Sequence, residues 1–192
     1  MNSFQSEGFV KVTEFFDLPT ISLVSEYFEN KLARGEIDIV PQNDPAFDST
    51  AIGYYADPLA EVLLKKATSF VSETVGEKVI PTYSFFRVYR PEEKLARHTD
   101  RKSCEISVTI NIASVGLENK IHMHSPDGSE VSFLLSPGDA AVYKGCEVEH
   151  WREPLKEGQL VVQFMLHYVK ENGNCAEFAL DKRRKLGEKS CR

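Results

Sequence analysis

The sequence predicts a mainly β fold with flanking helices: an antiparallel sandwich or jelly roll with N-terminal helices packed on one sheet. Three observations lead there. The first eighty residues carry apolar stripes of helical period. From residue 79 the period changes from 3.6 to 2, and short β-branched and aromatic segments follow one another with turn residues between them. No repeat and no Pro/Gly/Ser-rich linker divides the 192 residues, which therefore read as one domain: helical support and loop over 1–78, the β core over 79–170, and a C-terminal tail over 171–192.

Each element has its own signal. The run Gly8-Phe9-Val10-Lys11-Val12 reads as a short strand. Asp17, Pro19 and Thr20 then open a helix with apolar residues at Ile21, Val24, Phe28 and Leu32. A stretch rich in Asp, Pro and Ser over about 35–56 exceeds the usual connection length and is expected to be a functional loop or lid. Asp57 suits an N-cap and Pro58 the first helical turn. Leu59, Val62, Leu63, Phe70 and Val71 supply the stripe of this second helix, and Gly76 ends it. Seven strands are expected near 81–90, 104–113, 119–124, 130–135, 139–143, 146–151 and 160–169. Ser125-Pro126-Asp127-Gly128 forms a hairpin turn, with Pro presetting φ and Gly supplying a positive one, and Ser136-Pro137-Gly138-Asp139 forms another. The basic tail, 181–192, is expected to be solvated and frayed.

Composition narrows the function. With 23 basic and 29 acidic side chains the net charge is −6, a poor balance for a protein that must neutralise nucleic-acid phosphates. The apolar run at 160–166 is far shorter than the roughly 20 residues that span a bilayer. The start has neither a basic nor an apolar leader region, so a cytoplasmic location is expected, and the four cysteines, without C-x-x-C spacing, read as reduced thiols. Five histidines remain as the chemically versatile residues.

Two of them stand out. In Leu95-Ala96-Arg97-His98-Thr99-Asp100-Arg101, an H-x-D pair at a strand end puts imidazole and carboxylate on one face, about 6–7 Å apart along the chain. By itself the pair is also compatible with a surface pair beside a basic cluster. Downstream, Gly138-Asp139-Ala140-Ala141-Val142-Tyr143 and Glu149-His150-Trp151-Arg152-Glu153 read as strand, turn, strand, and bring in His150. Two His and one carboxylate on one face of a metal form the facial triad of non-haem Fe(II) sites.

With these residues the chain resembles the 2-oxoglutarate- and Fe(II)-dependent dioxygenases, in the prolyl-hydroxylase-like branch. The likeness covers roughly 79–170: Phe86-Arg87-Val88-Tyr89 with Leu95, His98 and Asp100, then Cys104–Ile112 as the next core strand, then Pro137-Gly138-Asp139-Ala140 and His150. The resemblance implies a double-stranded β-helix and Fe(II) held by His98, Asp100 and His150. It also implies 2-oxoglutarate as co-substrate and O2 as oxidant, with hydroxylation of an unactivated C–H on a peptide, protein or free amino acid such as proline. One feature departs from the pattern. The family places an Arg or Lys about nine to eleven residues after the distal His, where this chain has Gln159, Leu160 and Val161. Arg152, two residues after His150 and on the same face, is the candidate partner for the far carboxylate, its alternative being a surface pair with Glu149 or Glu153. Gln163 and His167 on one face of the last strand, and Tyr83 and Tyr89 on one face of an earlier one, are further co-substrate candidates; ordinary sheet packing is the alternative for each.

The rival site is cupin-like. Gly116, His122, His124, Glu130 and Gly138 resemble G-x5-H-x-H-x(3,4)-E-x6-G, although five residues separate His124 from Glu130 and seven separate Glu130 from Gly138. That alternative is a jelly-roll protein binding a metal or small ligand without oxygenase turnover. Trp151 is expected to pack in the core opposite His150, and Cys104 to be a strand packing residue open to oxidation beside a redox metal. The basic stretch over 87–102 reads either as a rim for anionic groups or as a solvated loop of alternating charges.

Overall fold

Alternation along the strands decides the layering. In β5 (Ile106–Val115) the apolar side chains Ile106, Val108, Ile110 and Ile112 fall on one face and Ser107, Thr109 and Asn111 on the other. In the computed structural model, which describes residues 3–37, 52–116 and 120–188, the apolar face meets helices and the polar face looks into a barrel. The elements run α1 (Ser3–Glu7), β1 (Phe9–Val12), α2 (Leu18–Ala33), β2 (Ile52–Tyr55), α3 (Pro58–Val75), β3 (Val79–Tyr89), β4 (Leu95–His98), β5, β6 (Ile121–His124), β7 (Glu130–Phe133), β8 (Ala140–Lys144), β9 (His150–Arg152) and β10 (Leu160–Lys170).

The strands form two antiparallel sheets, ordered β1-β8-β5-β10-β3-β2 and β4-β9-β6-β7. One core lies outside the larger sheet, where Ile21, Val24 and Phe28 of α2 and Leu64 and Val71 of α3 meet Phe86, Ile110, Phe164 and Leu166. Phe28 stacks on Phe86 with centroids 3.8 Å apart. A second core, including Tyr89, Met123, Ala141 and Tyr143, fills the space between the sheets. The jelly roll with helices on one sheet is therefore the fold. No helix among the described residues is long and apolar enough to cross a membrane.

The helix boundaries follow the expected chemistry. Asp17 caps α2 by accepting the Thr20 N–H, and Asp57 caps α3 by accepting those of Leu59 and Ala60. Gly76 ends α3 in the left-handed region at φ 76°. Asp57 also anchors Lys31 of α2 at 2.6 Å, which ties the two helices together.

Two expectations are corrected. The long excursion ends in an edge strand, since Ile52–Tyr55 pairs with β3; residues 38–51 of the expected lid lie outside the described residues. The tail is anchored, at least as far as residue 188. A 3-10 segment, Ala176–Lys182, carries Asp181 into a pair with Arg101 at 2.9 Å and a hydrogen bond from Tyr55, and Arg183 pairs with Glu61. These contacts hold Leu180, Asp181 and Lys182 at φ of 54°, 52° and 61°, a left-handed run unusual for residues with side chains. Net basic composition alone gives no hint that two of its charges pair with distant residues, one of them the buried Glu61.

Candidate metal centre

The metal-ligand geometry begins with strand pairing. His98 ends β4 and His150 begins β9, and the two lie opposite each other in the antiparallel register. Their rings sit with centroids 4.3 Å apart. Asp100, two residues past the end of β4, is turned toward both: Oδ1 is 3.6 Å from His98 Nε2 and 3.7 Å from His150 Nε2. The three ligand atoms lie within 4.8 Å of one another.

Each ring is aimed by its own backbone. His98 Nδ1 lies 2.9 Å from the Ala96 carbonyl and His150 Nδ1 lies 3.0 Å from the Val148 carbonyl. A carbonyl only accepts, so Nδ1 carries the proton in both rings and the lone pair is left on Nε2, the atom facing Asp100. Asp100 is fixed from two sides. Its N–H donates to the Gly145 carbonyl at 2.7 Å, and the Ser107 hydroxyl donates to Oδ2 at 2.6 Å. Since the Ser107 proton goes to Asp100, His167 Nδ1, 3.0 Å away, donates to Ser107 Oγ.

The protonation states suit a cation. Burial pushes the Asp100 carboxyl up, but the neighbouring imidazoles, His98 first and then His150 and His167, together with the Ser107 hydroxyl bring it down to about 2. Burial lowers His150 against the opposing pull of Asp100, keeping its imidazole in the neutral, ligating form.

Deeper in the barrel the lining becomes cationic. Arg152 lies two residues beyond His150 on β9 and is 3% exposed. Arg87, fully buried, sits opposite Gln163, which in turn faces Asn111. Both guanidinium groups face the Tyr89 ring, at 4.7 Å for Arg87 and 5.4 Å for Arg152. Burial lowers the Arg152 guanidinium to about 10, with Tyr89 and Tyr143 opposing the shift. A small pocket is lined by Arg152, Gln163, Asn111, Leu135 and Val161 among others. The Asn111 amide nitrogen donates to the Leu135 carbonyl at 2.6 Å, while its Oδ1 is buried with no hydrogen-bond partner.

The residues singled out in the sequence thus fall into groups. His98, Asp100 and His150 converge. Tyr83 and His167 lie beside them, Tyr83 against Cys104 at 3.1 Å and His167 against Ser107. Tyr89 and Arg152 lie together on the deeper lining, and Gln163 faces the same cavity. Cys104 belongs to a buried 3-10 turn ahead of β5.

His122 and His124 are placed elsewhere. Met123 between them is fully buried, so the histidines turn to the outer face of the smaller sheet, where they flank Trp151 and pair with Glu130 and Glu149. Among the described residues no third ligand joins them, which removes the cupin-like site. Trp151 is buried, but on that outer face beneath the Arg97 guanidinium at 3.6 Å. The basic stretch forms neither a common rim nor a solvated loop: Arg87 is inside the barrel, Arg90 pairs with Glu93, Arg97 covers Trp151, and Arg101 pairs with Asp181.

Arg87, Ser107, Asn111 and Gly145 are site residues that sequence reasoning misses. The signal for Ser107 and Asn111 is present in β5, whose polar residues alternate with isoleucine and valine; such a strand normally turns its polar face to solvent. Here that face lines a cavity. Arg87, two residues before Tyr89 and flanked by phenylalanine and valine, carries the same signal for an inward charge.

No protein-family model and no curated protein matches the chain. Solved structures do. A Pseudomonas putida prolyl-4-hydroxylase superposes with TM-score 0.70 at 16% identity, covering 88% of this chain and 95% of that one. The epimerase SnoN, solved with Fe3+, alpha ketoglutarate and nogalamycin RO, gives TM-score 0.72 at 12% identity over 98% of this chain and 90% of that one. A 2OG-Fe(II) oxygenase family oxidoreductase from Burkholderia pseudomallei gives 0.67 at 14% identity, covering 89% and 88%. The chain has the fold these proteins share.

Proposed function

We propose that this chain is an Fe(II)- and 2-oxoglutarate-dependent dioxygenase that hydroxylates an unactivated C–H of an amino acid side chain, free or within a peptide. The observation that carries the reading is the orientation of His98, Asp100 and His150: two Nε2 lone pairs and one carboxylate aimed at a common point, with both Nδ1 atoms tied to backbone carbonyls. A set of two histidines and one carboxylate leaves part of the coordination sphere for other ligands, and it is the donor set suited to Fe(II) oxygen chemistry.

Iron and 2-oxoglutarate, when bound, would let O2 act as oxidant, one oxygen atom going to succinate as the co-substrate loses CO2 and the other to the hydroxylated carbon. The protein's own residues position and insulate this chemistry. His98, Asp100 and His150 hold the metal, and Ser107 with the Gly145 carbonyl keeps Asp100 turned toward it. Arg152 and Arg87 bind the far carboxylate of the co-substrate, taking the place of the basic residue absent at 159–161. Both guanidinium groups approach the Tyr89 ring, and Gln163 and Asn111 complete the polar lining. Tyr83 and His167 act beside the metal through Cys104 and Ser107. The likeness to a prolyl-4-hydroxylase supports an amino acid side chain as substrate. The free thiols of Cys104, Cys146 and Cys175 support a reducing, cytoplasmic setting.

The test is anaerobic addition of Fe(II) and 2-oxoglutarate, followed by air and a panel of peptides and amino acids. A visible metal-to-ligand charge-transfer band, then substrate-stimulated succinate release, is expected, and both are lost in His98→Ala. Absence of the band, or a band indifferent to His98→Ala, sinks the reading.

A further inference from the structure

We propose that Asp100, Cys104 and His167 form a second metal site, for a thiophilic divalent cation of the zinc class, which shares the Asp100 carboxylate with the His98–His150 pair. One ligand atom from each of the three lies within 4.8 Å of the other two, and among the described residues this is the one other such convergence. Thiolate sulfur, imidazole nitrogen and carboxylate oxygen together make a donor set for zinc-like cations. Cys104 is 2% exposed and His167 6%, so the ligands sit in a dry, shaped place.

Asp100 can serve both sites because its two oxygens face different ways. Oδ1 approaches the Nε2 atoms of His98 and His150, whereas Oδ2 is the atom held by Ser107, on the His167 side. The surroundings supply what such ligands need. The Tyr83 hydroxyl, 3.1 Å from Cys104 Sγ, is placed to donate to a thiolate, and Ser107 links the carboxylate to the imidazole. The positive charge of Arg101, over the Tyr83 ring at 4.6 Å, is paired with Asp181. Binding exchanges the Cys104 thiol proton for the metal. The proton passes to buffer and nothing is oxidised. The proposal stands whether or not iron occupies the neighbouring triad.

Cadmium is the probe, because a cadmium–thiolate bond has its own ultraviolet charge-transfer absorption. Cys146 and Cys175, whose thiols neighbour each other, would bind it too. The experiment therefore uses the full chain carrying Cys146→Ser, Cys175→Ser and Cys191→Ser, stripped of metal and titrated with Cd2+. The band is expected to grow to one equivalent, to survive His98→Ala and His150→Ala, and to weaken at least tenfold in apparent affinity in His167→Gln. No band, or a band unchanged by His167→Gln, overturns the site. A band abolished by His98→Ala does so too. If His167→Gln does not fold, the cadmium-113 resonance of the unsubstituted site decides: a shift characteristic of mixed sulfur, nitrogen and oxygen ligation supports the site, and one of nitrogen and oxygen alone rejects it. Succinate release reads the iron triad separately, so the two proposals fail by different observations.

Discussion

Gly145 and Asp100 touch in two ways at once. The Gly145 carbonyl accepts the Asp100 N–H at 2.7 Å, and a β-carbon on residue 145 would stand 2.5 Å from Asp100 Oδ2 and 2.8 Å from Ser107 Oγ. That β-carbon would also collide with the Cys104 carbonyl, a backbone atom that cannot swing aside. Gly145→Ala is therefore expected to displace the carboxylate and weaken Fe(II) binding about 10–100-fold, the range for lost support of a metal ligand, while the helices and their core stay intact. Metal titration alongside a thermal melt checks this; unchanged affinity would mean that the loop gives way without moving Asp100.

Arg152 and Arg87 are expected to share one carboxylate. Losing a charged hydrogen-bond partner costs about 1.5–3 kcal/mol, or roughly ten- to a hundredfold in an equilibrium constant. Arg152→Ala and Arg87→Ala should each raise the 2-oxoglutarate concentration needed for half-maximal succinate release by that factor and leave Fe(II) affinity unchanged. An unaltered requirement in either variant assigns the carboxylate to the other residue.

Ser107→Ala removes the hydroxyl that joins Asp100 to His167. Fe(II) affinity should fall about tenfold, at the low end of outer-shell effects. The His167→Ala change, which leaves the Ser107–Asp100 bond in place, should cost less. The reverse order would show that His167, and not Ser107, orients the carboxylate.

Asp181 gives the tail a pH dependence of defined sign. Burial pushes its carboxyl up, yet the hydrogen bonds from Arg101 and Tyr55 and the charge of Arg101 hold it down to about 2. The unfolded chain, with an aspartate near 3.9, takes up its proton first, so the contribution is present above about pH 4 and is lost as the pH falls toward 2. The stability difference between the wild type and Asp181→Asn, measured by urea unfolding at stepped pH, should shrink across that window. A constant difference would show that the carboxylate charge contributes nothing.

Lys31 and Asp57 test the joint between the helices. Asp57 is 1% exposed and accepts from Lys31, Tyr27 and the first turn of α3. Lys31→Met leaves that carboxylate without its charged partner and should destabilise the protein by about 3 kcal/mol, read as a shift in the urea midpoint. A much smaller shift would mean that the remaining hydrogen bonds suffice.

Much of the architecture is legible in the sequence because it depends on local rules. The caps Asp17 and Asp57, the Gly76 stop and the turns at 125–128 and 136–139 are read from a few adjacent residues, and each forms. Only the first of the two turns makes a hairpin: the expected hairpin at 136–139 is instead a turn that carries the chain from β7 to β8 in the other sheet. The spacing of His98 and Asp100 works for the same reason. What is not legible depends on which side of a strand is inside. β5 and β3 present alternating polar residues, and a one-dimensional pattern does not distinguish a solvent face from the lining of a polar cavity, so Ser107, Asn111 and Arg87 do not stand out. The cupin-like spacing around His122 and His124 misleads for a related reason: a motif does not say which face of the strand is inside, and these two face outward beside the buried Met123. The anchored tail is hidden because its partners, Glu61 and Arg101, lie 122 and 80 residues away in the chain.

The two carbonyls that hold His98 and His150 have a further consequence. Each belongs to the residue two positions earlier in the same chain, so the rings are aimed by short backbone loops that close with or without a cation. Metal capture then needs little rearrangement, and its free energy goes into affinity instead of being spent on folding. A chelator should strip this protein to an intact apo form that reloads quickly, in contrast to small zinc domains, which unravel when their metal leaves.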